Sequence, residues 1–318
     1  MGLEIIILVA GFVLLVFGAD WLVNGASALA KKYNVSDLAI GLTIVAFGTS
    51  APELVVNVFA AAQGSHDIVL GNIIGSNNFN LLVILGIAGI ITPLAVQHST
   101  VWKEIPFSLL AVAVLFVFAN DIFSEGAGVI SRMDGIILLV LFVAFLWYVA
   151  KQLKNDPSEA EIVTKKYPVW KMAVFIVGGL AGLIVGGRLV VTSAVDIARV
   201  LGMSEKLIGL TIVAAGTSLP ELATSVVAAI KKNNDIAVGN IVGSNIFNIF
   251  LILGVSSVIN PVSFNPVFNI DIMLLTFGTL LLFFAMFTGK KHKLDRWEAI
   301  LLLSIYIGYT VYLVGMEA

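Results

Sequence analysis

Two acidic hexapeptides carry most of the chemistry this sequence offers: Gly48-Thr49-Ser50-Ala51-Pro52-Glu53 and Gly216-Thr217-Ser218-Leu219-Pro220-Glu221. Each sets a carboxylate, two hydroxyls and a glycine–proline interruption inside an otherwise apolar run. An ionisable side chain at membrane depth costs about 3 kcal/mol or more and marks function by default. The interruption predicts backbone carbonyls released from their helical partners, which are tolerated at that depth only where they line a cavity or are covered by protein. Carbonyls, hydroxyls and a carboxylate make an oxygen cage. Such a cage suits hard cations (Na⁺, Ca²⁺ or Mg²⁺) rather than soft metals.

A second motif follows each of the first. Gly71-Asn72-Ile73-Ile74-Gly75-Ser76-Asn77-Asn78-Phe79-Asn80 is matched by Gly239-Asn240-Ile241-Val242-Gly243-Ser244-Asn245-Ile246-Phe247-Asn248. Ser76 and Asn80 lie four apart on one helical face, as do Ser244 and Asn248. The Gly-x-x-x-Gly pairs read as sites of close helix approach. Asn72, Asn77, Asn240 and Asn245 read as interhelical hydrogen-bond or capping residues rather than ligands. Ser50-x-x-Glu53 and Ser218-x-x-Glu221 also match a capping box, which would stabilise a restarted helix without binding anything. A pure cap inside an apolar span needs no charge, so ion binding is the reading to test. Asp67 and Asp235 are expected to cap the helices that follow them. Asp20 and Arg188 are expected at the membrane interface rather than paired with each other.

The elements that must position these groups are membrane helices. The chain has 318 residues, 59% hydrophobic and 12% charged, where a soluble domain carries about 25% charged residues. A net charge of −2 supplies no basic field for nucleic acid. There is no cysteine, which excludes disulfides, thiolate nucleophiles and zinc-thiolate sites. The three histidines, His66, His98 and His292, fall in predicted loops and suggest no metal centre. The first apolar run has Glu4 and no basic residue before it, which argues for a retained helix rather than a signal peptide.

Ten hydrophobic segments are predicted: 3–30, 38–63, 68–92, 101–119 and 130–151, then 168–200, 206–231, 236–260, 266–288 and 295–315. The polar stretch 152–167 separates the halves as a linker, giving repeats over 1–151 and 168–318. Ser36–Pro93 aligns without a gap on Ser204–Pro261 at an offset of 168, with 32 of 58 positions identical. Five segments per half is an odd number, so equivalent helices must cross in opposite directions. That predicts an all-α membrane protein of two inverted five-helix repeats, with broken helices and a binding site near the midplane. Lys31, Lys32, Lys103, Lys151, Lys231, Lys232 and their neighbours gather in alternate loops, against Arg132, Arg199 and Lys206 in the others. The positive-inside rule then places both termini outside and the linker in the cytoplasm.

The paired Gly-Thr-Ser-x-Pro-Glu motifs, each followed by Gly-Asn-x-x-Gly-Ser-Asn-x-x-Asn, resemble the two α-repeats of the sodium/calcium exchanger family within the cation/Ca²⁺ antiporter superfamily. The resemblance covers both repeats, and the whole chain fits the family's ten-helix layout. It implies an antiporter of the cell membrane, not an enzyme. Its transported ions would be Na⁺ and Ca²⁺, its surroundings the lipid bilayer, and a single chain would suffice for transport. It further implies that Ca²⁺ binds between Glu53 and Glu221 with the carbonyls of Thr49 and Thr217. One flanking Na⁺ site would use the Ala46 carbonyl, Thr49, Ser50, Glu221 and Ser244. Its mirror would use the Ala214 carbonyl, Thr217, Ser218, Glu53 and Ser76. Asn80 and Asn248 would line the centre, and segments 3–30 and 168–200 would slide to alternate access. Potassium-dependent relatives carry Asp where this chain has Asn248, which implies no K⁺ requirement. Proton-coupled relatives replace the Thr-Ser break that this chain keeps twice, which favours Na⁺. The alternative is a Ca²⁺/H⁺ antiporter with protons on the glutamates.

Overall fold

In hydrocarbon a backbone must satisfy its own hydrogen bonds, and the apolar runs of this chain do so as helices. The computed structural model describes residues 2–122, 128–152, 167–201, 214–289 and 291–317. The order is α1 (Gly2–Tyr33), α2 (Asp37–Thr49), α3 (Ala51–Ala62), α4 (His66–Ile91), α5 (Thr100–Ala119) and α6 (Arg132–Gln152). Then come α7 (Val169–Val200), a helical turn at Ala214–Gly216, α8 (Leu219–Ile230), α9 (Asn234–Ile259), α10 (Pro266–Ala285) and α11 (Arg296–Glu317). Among the described residues seven helices are long and apolar enough to cross a membrane, or eight if the bent pair α2–α3 is one span. Of the segment predicted over 206–231, residues 206–213 lie outside the described residues. So does all of the 152–167 linker except its two end residues.

The helices sort by burial. In α4 and α9, 83% and 94% of the apolar window is covered by protein, against 22% in α1 and 28% in α6, α7 and α10. The helices that carry the Ser/Asn motifs are therefore the centre of the molecule. The long helices α1 and α7 lie at the periphery, each with 32 residues, about 48 Å at 1.5 Å per residue. They pack on each other along a stripe of glycines. A Cβ at Gly18 would sit 2.8 Å from the Gly179 carbonyl oxygen, and one at Gly186 would sit 2.8 Å from that of Gly11. Backbone meets backbone at these points, the close approach that small residues give membrane helices, while Val190 lies over Gly11 and Trp21 stacks on Phe175.

Two departures from regular α-helix matter for the site. Phe79–Ile84 in α4 and Phe247–Leu253 in α9 are wide π-helical turns, a distortion that recurs at functional positions. They start immediately before Asn80 and Asn248. The loops add two small antiparallel pairings absent from the all-helical expectation, Leu94–Ala95 with Lys293–Leu294 and Val129–Ile130 with Val262–Ser263.

Candidate ion-binding site

The first acidic hexapeptide interrupts its helix at one residue, Ser50, and the second at a turn over Thr217 and Ser218. Ser50 leaves helical geometry (φ −83°, ψ 6°) and Ser218 does the same (φ −87°, ψ 6°). Proline follows in the first turn of the restarted helix, where its missing N–H is harmless. Helices α2 and α3 meet at 49°. The interruption is smaller than the unwound stretch expected from the sequence. Ser50 N still donates to the Ala46 carbonyl at 3.0 Å, and Leu54 N to the Ser50 carbonyl at 3.1 Å. At this first bend a single non-helical residue is enough, because proline already suits the first turn of a helix.

The capping-box reading fails at both bends. Neither Ser50 nor Ser218 makes a side-chain cap bond. Each hydroxyl instead reaches the glutamate of the other hexapeptide. Ser50 Oγ donates to Glu221 Oε1 at 2.9 Å and Ser218 Oγ to Glu53 Oε1 at 3.4 Å. These crossed bonds bring the two breaks, 168 residues apart in sequence, to one place. Glu53 is 1% exposed and Glu221 is fully buried, and the two carboxylates lie within electrostatic reach of each other.

The second motifs close around them. Ser244 Oγ donates to Glu221 Oε1 at 3.5 Å. Thr49 Oγ1 donates to Asn240 Oδ1 at 3.0 Å and to the Ala46 carbonyl at 3.3 Å, while Thr217 Oγ1 donates to Asn72 Oδ1 at 3.2 Å. Asn72, Asn77, Asn240 and Asn245 thus act as the interhelical hydrogen-bonding residues expected of them. Ala46 heads the last turn before the first bend, and Ala214 opens the turn before the second. Five oxygens of the expected site residues are buried without a hydrogen-bond partner: Glu53 Oε2, Glu221 Oε2, Ser76 Oγ, Asn80 Oδ1 and Asn248 Oδ1. Unpaired buried acceptors are costly unless something electropositive satisfies them. Two carboxylates in one apolar interior repel as well, so the arrangement is suited to a cation. Among the described residues no cluster of three or more His, Asp or Glu exists. The donor set is two carboxylates plus neutral oxygens, a set that hard cations favour.

A cavity of about 460 Å³ opens beside the second bend, lined by Pro52 and Val55 of α3, Arg188 and Val191 of α7, and Thr217 and Pro220. Thr217 is correspondingly half-buried, whereas Thr49 is fully buried.

Some residues at the site were not singled out from the sequence. Asn57 Nδ2 donates to the Glu53 carbonyl at 2.7 Å, and Ser225 Oγ accepts from Asn240 Nδ2 at 3.0 Å. Each lies one turn after a glutamate, and the pair shares the 168-residue offset; that register was the available signal. Two other expectations change. Asp235 accepts from Gln97 Nε2 at 2.7 Å, and the cap of α9 is Asn233, which accepts from Ile236 N at 3.1 Å. Asp67 sits in the first turn of α4, two residues past the cap position Ser65. Asp20, expected not to pair with Arg188, pairs instead with Lys231 Nζ at 2.6 Å, with both side chains partly exposed.

Comparison with known proteins agrees with this geometry. The family model described as "Sodium/calcium exchanger protein" matches residues 3–151 and 171–315. The chain is 40% identical over 313 residues to a protein named "Putative antiporter CaxA" from Alkalimonas amylolytica, covering 96% of each. It is 32% identical over 345 residues to "Sodium/calcium exchanger MaX1" from Methanosarcina acetivorans, covering 97% of each. Its fold matches a solved structure of the sodium-calcium exchanger NCX_Mj, soaked with Na⁺ and Ca²⁺, at a TM-score of 0.81 with 35% identity and 96% coverage of both chains. Matched along nearly its whole length, the chain belongs to the sodium/calcium exchanger family, a family of membrane transporters and not of enzymes.

Proposed function

We propose that this protein is a secondary active antiporter that exchanges Na⁺ for Ca²⁺ across the cell membrane by alternating access, without a K⁺ requirement. The observation that carries the reading is the crossed pair of serine–glutamate bonds, which sets both carboxylates at one buried site and leaves one oxygen of each unpaired. Ca²⁺ would lie between Glu53 and Glu221. Na⁺ would take flanking positions built from Ala46, Thr49, Ser50 and Ser244 on one side and Ala214, Thr217, Ser218 and Ser76 on the other, with Asn80 and Asn248 at the centre.

Exchange follows from charge. One Ca²⁺, or several Na⁺, relieves the repulsion of two carboxylates, and both ions require the same oxygens, so each excludes the other. If only loaded states change facing, the two fluxes are coupled. With several Na⁺ per Ca²⁺, each cycle moves net charge and responds to voltage by about 2.3 kcal/mol per charge per 100 mV.

The architecture proposed for this cycle is ten spans in two inverted halves, 1–151 and 168–318, joined by a cytoplasmic linker, with both termini outside. The glycine-lined α1–α7 pair supplies the moving element, since a seam of backbone on backbone presents few side-chain obstacles to translation. The cavity beside Arg188 lies at the end opposite Lys231. By the distribution of Lys and Arg we take this as the outer end, and on that reading the cavity is an outward-facing approach.

The test is radiolabelled Ca²⁺ uptake into Na⁺-loaded proteoliposomes. Uptake that rises with the outward Na⁺ gradient, needs no K⁺ and is accelerated by an inside-positive potential supports the reading. Ca²⁺ flux driven by a pH jump in the absence of Na⁺ would transfer the same site to Ca²⁺/H⁺ antiport.

A further inference from the structure

Two asparagines outside the proposed ligand set decide what their neighbours present. Asn77 Nδ2 donates to the Asn245 carbonyl at 3.2 Å, and Asn245 Nδ2 donates to the Asn77 carbonyl at 3.3 Å. A backbone carbonyl can only accept, so each side-chain amide is held nitrogen-first toward the other helix, with its Oδ1 turned away. That oxygen takes an amide hydrogen from the opposite repeat. Asn80 Nδ2 donates to Asn245 Oδ1 at 3.1 Å, and Asn248 Nδ2 donates to Asn77 Oδ1 at 2.9 Å. All four residues are at most 2% exposed, and the amide oxygens of Asn80 and Asn248 are left buried without partners.

The four amides therefore form one collective setting. Turning Asn77 over would set its oxygen against the Asn245 carbonyl and its NH₂ against that of Asn248, so Asn248 would have to turn too. The amide oxygen and nitrogen are nearly the same size, so packing cannot choose between them; the hydrogen bonds do. The two faces differ completely for a cation, because the carbonyl is a ligand and the NH₂ group is a repulsive donor.

We propose that Asn77 and Asn245 are positioning residues for ion exchange, which fix the amides of Asn80 and Asn248 so that carbonyl oxygens face the bound cation. This inference rests on the reading above that Asn80 and Asn248 line the site.

The experiment is a double-mutant cycle on the full chain in proteoliposomes, reading the half-saturating Ca²⁺ concentration and the maximal rate of Na⁺-driven uptake. Asn245→Leu removes the acceptor, frees the Asn80 amide to turn, and is expected to raise half-saturating Ca²⁺ about tenfold with little change in maximal rate. Asn80→Ala is expected to weaken Ca²⁺ comparably, and Asn245→Leu added to it should then have no further effect. If Asn245→Leu does not fold, Asn77→Leu measured against Asn248→Ala runs the same cycle through the other repeat. Unchanged affinity in Asn80→Ala would remove Asn80 from the site, and the inference would fall with that reading. A loss in Asn80→Ala without one in Asn245→Leu would overturn the positioning role alone. So would a loss from Asn245→Leu that persists undiminished in the Asn80→Ala background.

Discussion

The two ends of the α1–α7 pair are related by the same 168-residue offset, yet they are built differently. At one end Asp20 of α1 pairs with Lys231 at the end of α8, and Asn24 Oδ1 accepts from Lys231 Nζ at 2.8 Å. Behind this pair Asn233 donates to Ser27 at 2.9 Å and to Asp37 at 3.1 Å, all three being buried. At the other end the corresponding positions hold Arg188, Thr192, Gln63, Val195, Ser65 and Glu205, the last of these outside the described residues. No carboxylate answers Arg188 among the described residues; it is exposed and lines the cavity that reaches Thr217. The site between them is nearly symmetrical, while its two approaches are not. A duplicated site lets one set of oxygens serve both sides of a membrane. An alternating carrier also needs one approach closed while the other is open, and on the reading proposed above the closed approach is the one with complementary charge.

The sharpest way to break this comparison is at its symmetrical centre. Glu53→Ala and Glu221→Ala should each abolish Na⁺-driven Ca²⁺ uptake, by about a hundredfold or more, because either change removes half of the charge that draws a divalent ion from water. Uptake near the parent rate in either variant, with normal folding by size-exclusion chromatography, would mean that the two halves do not share one site. The next largest effect concerns the seam on which the ends move. Gly18→Val would place a branched side chain where even a Cβ is 2.8 Å from the Gly179 carbonyl oxygen, forcing the helices apart at a cost of about 3 kcal/mol. A clear loss of thermal stability in detergent is expected. Gly308→Val on α11, where an added Cβ meets nothing within 4 Å, should stay close to the parent.

Much of this was legible in the sequence, and the illegible parts share a cause. The apolar runs, their breaks and the repeat are local or self-referential signals, so α4 begins two residues from its predicted start, and the bends fall at Ser50 and Ser218. The destination of the serine hydroxyls was not readable. Ser-x-x-Glu satisfies a cap rule locally, and only the arrival of the other repeat offers a carboxylate instead. The π turns at Phe79 and Phe247 leave no mark in a hydrophobicity pattern, because both faces of α4 and α9 are buried and neither period is selected. The asymmetry of the ends was hidden for a related reason. Asp20 and Lys231 are 211 residues apart, and the positions equivalent to them hold Arg188 and Gln63, so the repeat carries no trace of the pair.

Two smaller changes sharpen the comparison at the closed end. Asn233→Ala removes hydrogen bonds to Ser27 and Asp37 together with the cap on α9, leaving buried polar groups unpaired. About 2 kcal/mol of stability should be lost. The loss should appear as a lower melting temperature and as faster modification of a cysteine introduced at Ala26, which is fully buried at this end. The chain has no native cysteine to confuse that readout. An unchanged melting temperature and labelling rate would show that the network does not hold this approach shut.

The smallest effect is the most specific to the difference between the ends. The Asp20–Lys231 pair is partly exposed, 42% and 27% by side chain, so its worth is limited to about 0.5 kcal/mol by solvent screening. Lys231→Ala should therefore shift the ratio of the two facings only about twofold, read as a modest rise in labelling of the same Ala26→Cys reporter, and the rise should disappear in high salt. The complementary change is Gln63→Glu, which supplies Arg188 with the carboxylate its end lacks and should shift the ratio in the same direction by favouring closure there. If the two substitutions shift labelling in opposite directions, charge complementarity is not what distinguishes the closed approach from the open one. If both raise it and combine additively, the facing preference resides in a few polar residues at the helix ends rather than in the duplicated site.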